Sequence, residues 1–358
     1  MHRVVQTILK AGFPMKRLFI SFLVCIFFFG TFKQASLKSR PDVSARSAII
    51  MEESSKRVLF QKDIHNQMRI ASITKIMTAI LAIESEKMND FATVSERAVQ
   101  AEGSSIYLEK GEKIKMEDLV YGLMLRSGND AAVAISEHVG GSVEGFVYLM
   151  NKKAKEIGME QTIFNNPHGL DDHEEHYSTA YDMALLTQYA MQNKDFRDIS
   201  KTKKFKSRSS KQGTYRIFKN KNKLLDLYPY STGGKTGYTK RAHRTLVSTA
   251  LKKDMSLICV TLHASDDWND HMTLFEWAFD DYYLKMIVPK GKIRLKGVSE
   301  TFYTNRSLTY PLLLSEEKSV RTKVTLSHQT SKEKQRIGTV QIYLDEECIG
   351  SMPIFNKR

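Results

Sequence analysis

Three short groups of residues could together perform nucleophilic chemistry. The first is Ser72-Ile73-Thr74-Lys75. On a helix, a spacing of three puts Ser72 and Lys75 on one face, with Cβ atoms about 5–6 Å apart. A serine hydroxyl is a poor nucleophile until a base takes its proton. Lysine can be that base when burial or a second cation lowers its pKa. Ser72 also falls at the expected start of a helix, where backbone N–H groups and the dipole favour an oxyanion. Alone, a Ser and a Lys three apart are also common on solvated helices. The second group is Ser127-Gly128-Asn129, in a turn between two apolar helical runs. Its Ser and Asn can present a hydroxyl and an amide to one cleft, or form a helix connector with Asn129 as N-cap. The third is Lys235-Thr236-Gly237, after Ser231-Thr232-Gly233-Gly234. Lys235 brings a charge, Thr236 a hydroxyl, and Gly237 removes a side chain where something must approach a strand closely. A ligand could then pair as an added edge strand. A glycine-rich turn entering a hairpin is the alternative.

The elements that must position these groups are legible in the pattern. Ala48–Met51 and Val58–Phe60, separated by Glu53-Ser54-Ser55, predict a β-hairpin. Ser72–Glu84 predicts a helix with a broad apolar face of Ile76, Met77, Ile80, Leu81 and Ile83. Further helices are expected over Met116–Leu125, Asp130–Val139, Phe146–Ile157 with Gly158 as C-cap, and Thr179–Met191. Thr245–Leu251 and Met255–Leu262 alternate as strands across Lys252-Lys253-Asp254. His271–Tyr283 predicts a helix capped by Asp270. After Pro289-Lys290-Gly291 the pattern becomes strand and turn, as in Val320–Leu326 and Thr339–Leu344. The order predicts an α+β domain with a small all-β appendage.

The three groups are far more specific together than apart. Their order and spacing, 55 residues from Ser72 to Ser127 and 108 from Ser127 to Lys235, resemble the active-serine penicillin-recognising enzymes. Gly128 stands where class A β-lactamases carry Asp, and Ser-Gly-Asn is typical of the low-molecular-mass D-alanyl-D-alanine carboxypeptidases. The likeness extends to Arg69-Ile70-Ala71, Leu123-Met124-Leu125-Arg126, Asn166-Pro167-His168-Gly169-Leu170, His176-Tyr177-Ser178-Thr179-Ala180 and Asp182. It spans roughly residues 44–285. Tyr228–Gly234 and Asp267–Met272 look closest to the sporulation-associated Bacillus-type members.

The resemblance implies a penicillin-binding-protein/β-lactamase-like domain, an antiparallel sheet flanked by helices, over 36–285. A leader over 1–35 and a small β-rich domain over 286–358 complete the expected organisation. It implies a serine-type carboxypeptidase that removes the terminal D-alanine of peptidoglycan stem peptides and is acylated by β-lactams. Ser72 would be the nucleophile and Lys75 the general base. Ser127 would relay a proton to the leaving D-alanine, and Asn129 would hold the substrate amide and position Lys75. Lys235 would support the electrostatics, Thr236 would hold the terminal carboxylate, and the N–H groups of Ser72 and Tyr238 would form the oxyanion hole beside Gly237. No cofactor or metal is implied. There is one departure: many relatives place an Arg before the last helix of this domain to bind the substrate carboxylate. Here Asp267 holds that place, with no Arg from Ser265 to Tyr283. A class A-like β-lactamase would need a Glu-x-x-Leu-Asn loop, which is lacking. A non-catalytic β-lactam-sensing or wall-binding module is the rival from another class; a dead homologue would be expected to lack Ser72 or Lys75.

Composition and charge set the surroundings. Among 358 residues, 54 Lys+Arg against 40 Asp+Glu leave a net charge of +14, which calls for an anionic neighbour. Residues 1–35 carry Arg3, Lys10, Lys16 and Arg17 and then an apolar run, Leu18 to Phe32, so they read as a signal peptide or N-terminal anchor. Export turns the charge away from nucleic acid and towards anionic lipid and wall polymers. Lys201–Lys223 holds ten basic residues and no acidic one, and reads as a solvated hairpin or strand face. With 3 Cys, a disulfide scaffold is excluded, and Cys259 and Cys348 are expected as small buried hydrophobes. His168, His173 and His176, with Asp171, Asp172, Glu174 and Glu175, fit no common zinc spacing and predict a polar loop bordering the cleft. No amphipathic helix is expected after the β tail, so attachment would depend on the N-terminal segment, or the protein would be free outside the membrane.

Overall fold

A computed structural model describes residues 39–208, 215–294, 301–326 and 336–355. The expected leader lies outside the described residues. The first elements among the described residues are the hairpin strands β1 (Ser47–Glu52) and β2 (Val58–Lys62). A short 3-10 turn, Ala71–Thr74, leads into α1 (Lys75–Glu84). β3 (Phe91–Thr93), α2 (Glu96–Val99) and β4 (Lys113–Lys115) precede α3 (Met116–Tyr121). A single π turn, Gly122–Arg126, follows α3 and ends at Ser127, whose φ of 64° is left-handed. Then come α4 (Asn129–Gly140), α5 (Val143–Ile157), α6 (Ala180–Gln192) and α7 (Lys194–Lys201). Gly158 ends α5 at φ 85°, a left-handed cap that glycine adopts without a Cβ clash. Thr179 caps α6 through its hydroxyl on Asp182 N–H.

The basic run forms the hairpin β5 (Lys204–Arg208) and β6 (Tyr215–Lys219), with the turn α8 (Leu224–Leu227) beyond. β7 (Ser231–Thr239), β8 (His243–Lys252) and β9 (Met255–Ala264) complete a five-stranded antiparallel sheet of order β2-β1-β9-β8-β7. β7, carrying Lys235-Thr236-Gly237, is an edge strand, with one side unpaired in the sheet.

The sheet is buried on both faces, which is why β1 reads as a continuous apolar run. Ile49 and Met51 enter a core shared with α1, α4 and α6, as do Val247, Ile258 and Val260. Ala48 and Ile50 point the other way with Leu246, Leu257 and Cys259, onto α9 (Asp267–Asp281). The period of two thus splits one strand between two cores. Burying these aliphatic side chains contributes roughly 1.5–3 kcal/mol each.

Two local expectations are corrected. The last helix begins at Asp267, so Asp270 lies inside it and caps nothing. Its carboxylate instead accepts Ser44 N–H at 2.8 Å, Ser44 Oγ–H at 2.8 Å and Ala45 N–H at 3.0 Å, tying the segment before β1 to the helix. The helix stops at Asp281, and Tyr282–Val288 continues as β10. The expected boundary at 285/286 therefore falls inside a strand.

β10 pairs with β13 (Leu308–Leu313). β11 (Gly291–Arg294), β12 (Thr301–Thr304), β14 (Val320–Leu326), β15 (Arg336–Leu344) and β16 (Glu347–Phe355) form a second antiparallel sheet of order β11-β12-β16-β15-β14. It has its own core of Val288, Phe302, Val340, Ile342 and Ile354. Arg57 joins the tail to the first hairpin by a two-pronged bridge to Glu316, and its guanidinium lies over the rings of Tyr282 and Tyr310. Cys259 is buried as expected, but Cys348 is exposed, because it lies in the β15–β16 turn region rather than in the tail's core.

Candidate active site

Ser72 sits in the 3-10 turn just before α1 and Lys75 opens α1, so both lie at one helix start. The Lys75 Nζ is 2.9 Å from Ser72 Oγ. It also donates to Asn129 Oδ1 at 2.7 Å and to the His168 carbonyl at 2.6 Å. Asn129 is thus not an N-cap: Gly128 holds that position, and the Asn side chain faces Lys75. The Asn129 Nδ2 donates to Glu102 O, which orients the amide so that its oxygen meets the lysine. On the third side, Lys235 Nζ donates to Ser127 Oγ at 3.1 Å and to Thr236 O at 2.7 Å. The three groups singled out from the sequence therefore converge, from a helix start, an inter-helix turn and an edge strand.

The backbone makes this convergence by strained and close contacts. Ala71, directly before Ser72, has a φ of 49°, and Ser127 has one of 64°. Non-glycine residues there cost about 1–3 kcal/mol and persist only where the surroundings enforce them. At Ala71 the enforcing neighbour is Gly169, whose backbone packs so closely that a Cβ would lie 1.9 Å from Ala71 O. Gly237 plays the same part on β7: a Cβ there would lie 2.9 Å from Ser72 N and 2.3 Å from Thr245 Oγ1. Strand β7 thereby runs against the amide of Ser72, the arrangement an oxyanion hole from Ser72 and Tyr238 N–H groups requires.

Electrostatics follow from burial. Lys75 and Lys235 are 0 % and 1 % exposed. Among the described residues neither ammonium touches a carboxylate. Burial, and then the neighbouring Lys235 charge, hold Lys75 well below the usual lysine range. Burial, with Lys221 nearby, lowers Lys235 to about 7. A neutral Lys75 keeps two N–H bonds, to Asn129 and His168, and turns its lone pair to the Ser72 hydroxyl. That is the state a general base needs.

The histidine-rich loop supports the site from behind. Burial brings His168 and His176 down to about 3, so both are neutral at physiological pH. His176 is 2.9 Å from Thr74 Oγ1 and accepts Asn165 N–H, while His168 offers its carbonyl to Lys75. Its acids engage cations: Glu174 bridges Arg69 and Arg241.

The cleft in front of Ser72 has a volume of about 290 Å³. Ser127, Thr236, Gly237 and Tyr238 line it with Ser72, and the buried Lys75 and Lys235 reach the Ser72 and Ser127 hydroxyls. Sequence reasoning missed four lining residues: Ser104, Lys221, Arg244 and Trp268. Ser104 belongs to a loop held by Asp130, whose carboxylate takes the N–H groups of Ile106 and Leu108. Lys221 donates to Ser104 Oγ at 2.9 Å. Asp267, flagged from the sequence as a departure, also reaches the cleft. The acid two residues after Ser127-Gly128 and the alternation of β8 were the available signals for Asp130 and Arg244.

With this geometry in hand, comparison with known proteins is specific. A family model described as D-alanyl-D-alanine carboxypeptidase matches residues 34–266. The D-alanyl-D-alanine carboxypeptidase DacF of Bacillus subtilis is 33% identical over 333 residues, covering 87% of this chain and 85% of the relative. DacC of Escherichia coli, of the same description, is 36% identical over 255 residues, covering 67% of this chain and 62% of the relative. Among solved structures, penicillin binding protein 5 from Haemophilus influenzae superposes with a TM-score of 0.74 at 26% identity, covering 88% of this chain and 97% of that one.

Proposed function

The chain belongs to the D-alanyl-D-alanine carboxypeptidase family, and from that premise we propose how its residues divide the reaction. It is a serine-type carboxypeptidase acting outside the cytoplasm on peptidoglycan stem peptides ending in D-Ala-D-Ala, and it binds β-lactams. Ser72 Oγ attacks the carbonyl between the last two D-alanines while neutral Lys75 takes its proton. The N–H groups of Ser72 and Tyr238 receive the oxyanion. The Ser127 hydroxyl, with Lys235 beside it, relays that proton from Lys75 to the leaving D-alanine amine, which returns Lys75 to its neutral form. Asn129 holds Lys75 and the substrate amide. Water then hydrolyses the acyl-enzyme, with Lys75 again as base. The observation that carries this division is the buried Lys75 Nζ, 2.9 Å from Ser72 Oγ with a second lysine close by and, among the described residues, no acid in contact.

The test is D-alanine release from a stem pentapeptide, run beside fluorescent-penicillin labelling. Release with a long-lived penicilloyl adduct is expected. Labelling without release would favour a β-lactam sensor, and rapid turnover of the adduct a β-lactamase.

We propose three parts: a leader over 1–35, the catalytic domain over 36–285, and the β-rich domain over 286–358, with β10 carrying the chain across the last junction. The leader would deliver the enzyme to the outer face of the membrane, in the cell wall or the forespore envelope. The β5–β6 hairpin supports contact with anionic lipid there. One face packs Phe205 and Phe218 towards Tyr121, while Lys204, Lys206, Tyr215, Ile217 and Lys219 are exposed on the other. Lys203 is paired with Asp226, but no acid pairs with Lys204, Lys206 or Lys219 among the described residues. Each lysine near an anionic surface contributes about 1 kcal/mol, so changing these three to Gln should weaken binding to phosphatidylglycerol vesicles roughly 100-fold at low salt. Unchanged vesicle binding, or a loss seen only with wall polymer, would refute lipid contact.

A further inference from the structure

We infer that Arg244 anchors the terminal carboxylate of the substrate and that Asp267 positions it. The inference rests on the carboxypeptidase reading. An enzyme that cuts only at a chain end must recognise the free carboxylate, and in a wet cleft that calls for a presented cation.

The two lysines behind Ser72 are poorly placed for that work. Lys235 is buried, and its Nζ is already engaged by Ser127 Oγ and Thr236 O. Lys75 is buried and fully occupied by Ser72, Asn129 and His168. Thr236 offers one neutral hydroxyl. Arg244 differs on each count. It lies on β8 directly across from Tyr238 of β7, so it shares a sheet face with Thr236, two residues back. It lines the same cleft as Ser72 and Thr236, and its side chain is 44% exposed.

Its guanidinium is also held. The Nε donates to Asp267 Oδ1 at 2.9 Å, and the Asp267 side chain is only 4% exposed. Asp267 Oδ1 accepts Trp268 N–H at 3.1 Å, which fixes the carboxylate at the first turn of α9. Only one of the five guanidinium N–H groups is used in this bond. Among the described residues no acceptor is recorded for the two Nη groups, which form the fork that matches a carboxylate. Asp267 offsets part of the charge, but it locks the rotamer, so less freedom is lost when substrate binds. The acid at the place where the resemblance implies an Arg is thereby accounted for: the cation comes from the neighbouring strand and the helix start supplies its holder.

The experiment compares an acyl-D-Ala-D-Ala tripeptide with the same peptide bearing a C-terminal amide, in the wild type, Arg244→Ala, Arg244→Lys and Asp267→Asn. The wild type should prefer the acid by about 100-fold in kcat/KM, the scale of one lost charge-assisted bidentate contact. Arg244→Ala should lose roughly 30–100-fold on the acid and under about 3-fold on the amide, with the loss mostly in KM. Arg244→Lys should fall between, since it restores charge without the fork. Asp267→Asn should lose about 5–10-fold on the acid alone, which a merely structural role would not produce. Equal losses on both substrates, an unchanged acid rate in Arg244→Ala, or a wild type indifferent to the amide would each overturn the inference. Failure of the wild type to release D-alanine or to take up penicillin would instead refute the carboxypeptidase reading, and would show before any variant is compared.

Discussion

Replacing Ser72 with alanine will abolish covalent penicillin labelling and lower D-alanine release by roughly 10⁴-fold or more, while the protein stays folded. The magnitude is that of removing the nucleophile from a catalytic unit whose members act together. The fold should survive because the side chain stands in front of the packed core. Lys75 keeps its bonds to Asn129 Oδ1 and the His168 carbonyl. Non-covalent penicillin binding should persist, since the cleft walls of Ser127, Thr236 and Arg244 are unchanged. Fluorescent-penicillin gels and D-alanine release give the two readouts, with a melting curve as the folding control. A label that survives in the variant would place the nucleophile elsewhere, and Ser127, 3.1 Å from a lysine, would be the first residue to test.

The second large effect concerns Lys75 and has a pH signature. Arginine cannot lose its proton in a protein, so Lys75→Arg should cut acylation by about 10³-fold or more without removing the charge. On the proposed mechanism the active form of the wild type is the neutral amine. Because burial and the Lys235 charge hold the folded pKa well below 10.5, acylation should rise with pH through that lowered value and be lost on acidification. The Arg variant should lack this rise, and an unchanged pH profile would show that another group is the base.

The same lysines set a stability trend. A lysine with a lowered folded pKa binds fewer protons folded than unfolded between the two values, so unfolding free energy rises with pH across that window. For Lys235 the window runs from about 7 to the ordinary lysine value of 10.5. The penalty for burying its charge is present in full below pH 7 and relieved as pH climbs. Thermal midpoints taken from pH 7 to 10 should carry this upward contribution, and Lys235→Met should flatten it.

Legibility from sequence divided along the range of the interactions involved. Local periodicity sufficed for the first hairpin, for α1, for α5 with its glycine cap, and for the β8–β9 pair, because alternation and the 3.6 repeat are written within ten to fifteen residues. It misjudged Asp270, where a tie to Ser44 and Ala45 across the fold outweighed local capping. It misjudged Cys348 too, since hydrophobic character does not say which residue at a strand end stays in solvent.

For the site, residue types and order by themselves singled out Ser72, Lys75, the Ser127–Asn129 pair and Lys235 as a set able to do nucleophilic chemistry, because chemistry resides in side chains. What only the tertiary structure decided was convergence: Lys75 against Asn129 and a backbone carbonyl 93 residues away, and Gly237 against the amide of Ser72. It decided also that Arg244 lines the cleft, braced by an acid from another element. Such contacts depend on where strands and helices cross after the two cores close, and no local pattern in the chain encodes that crossing.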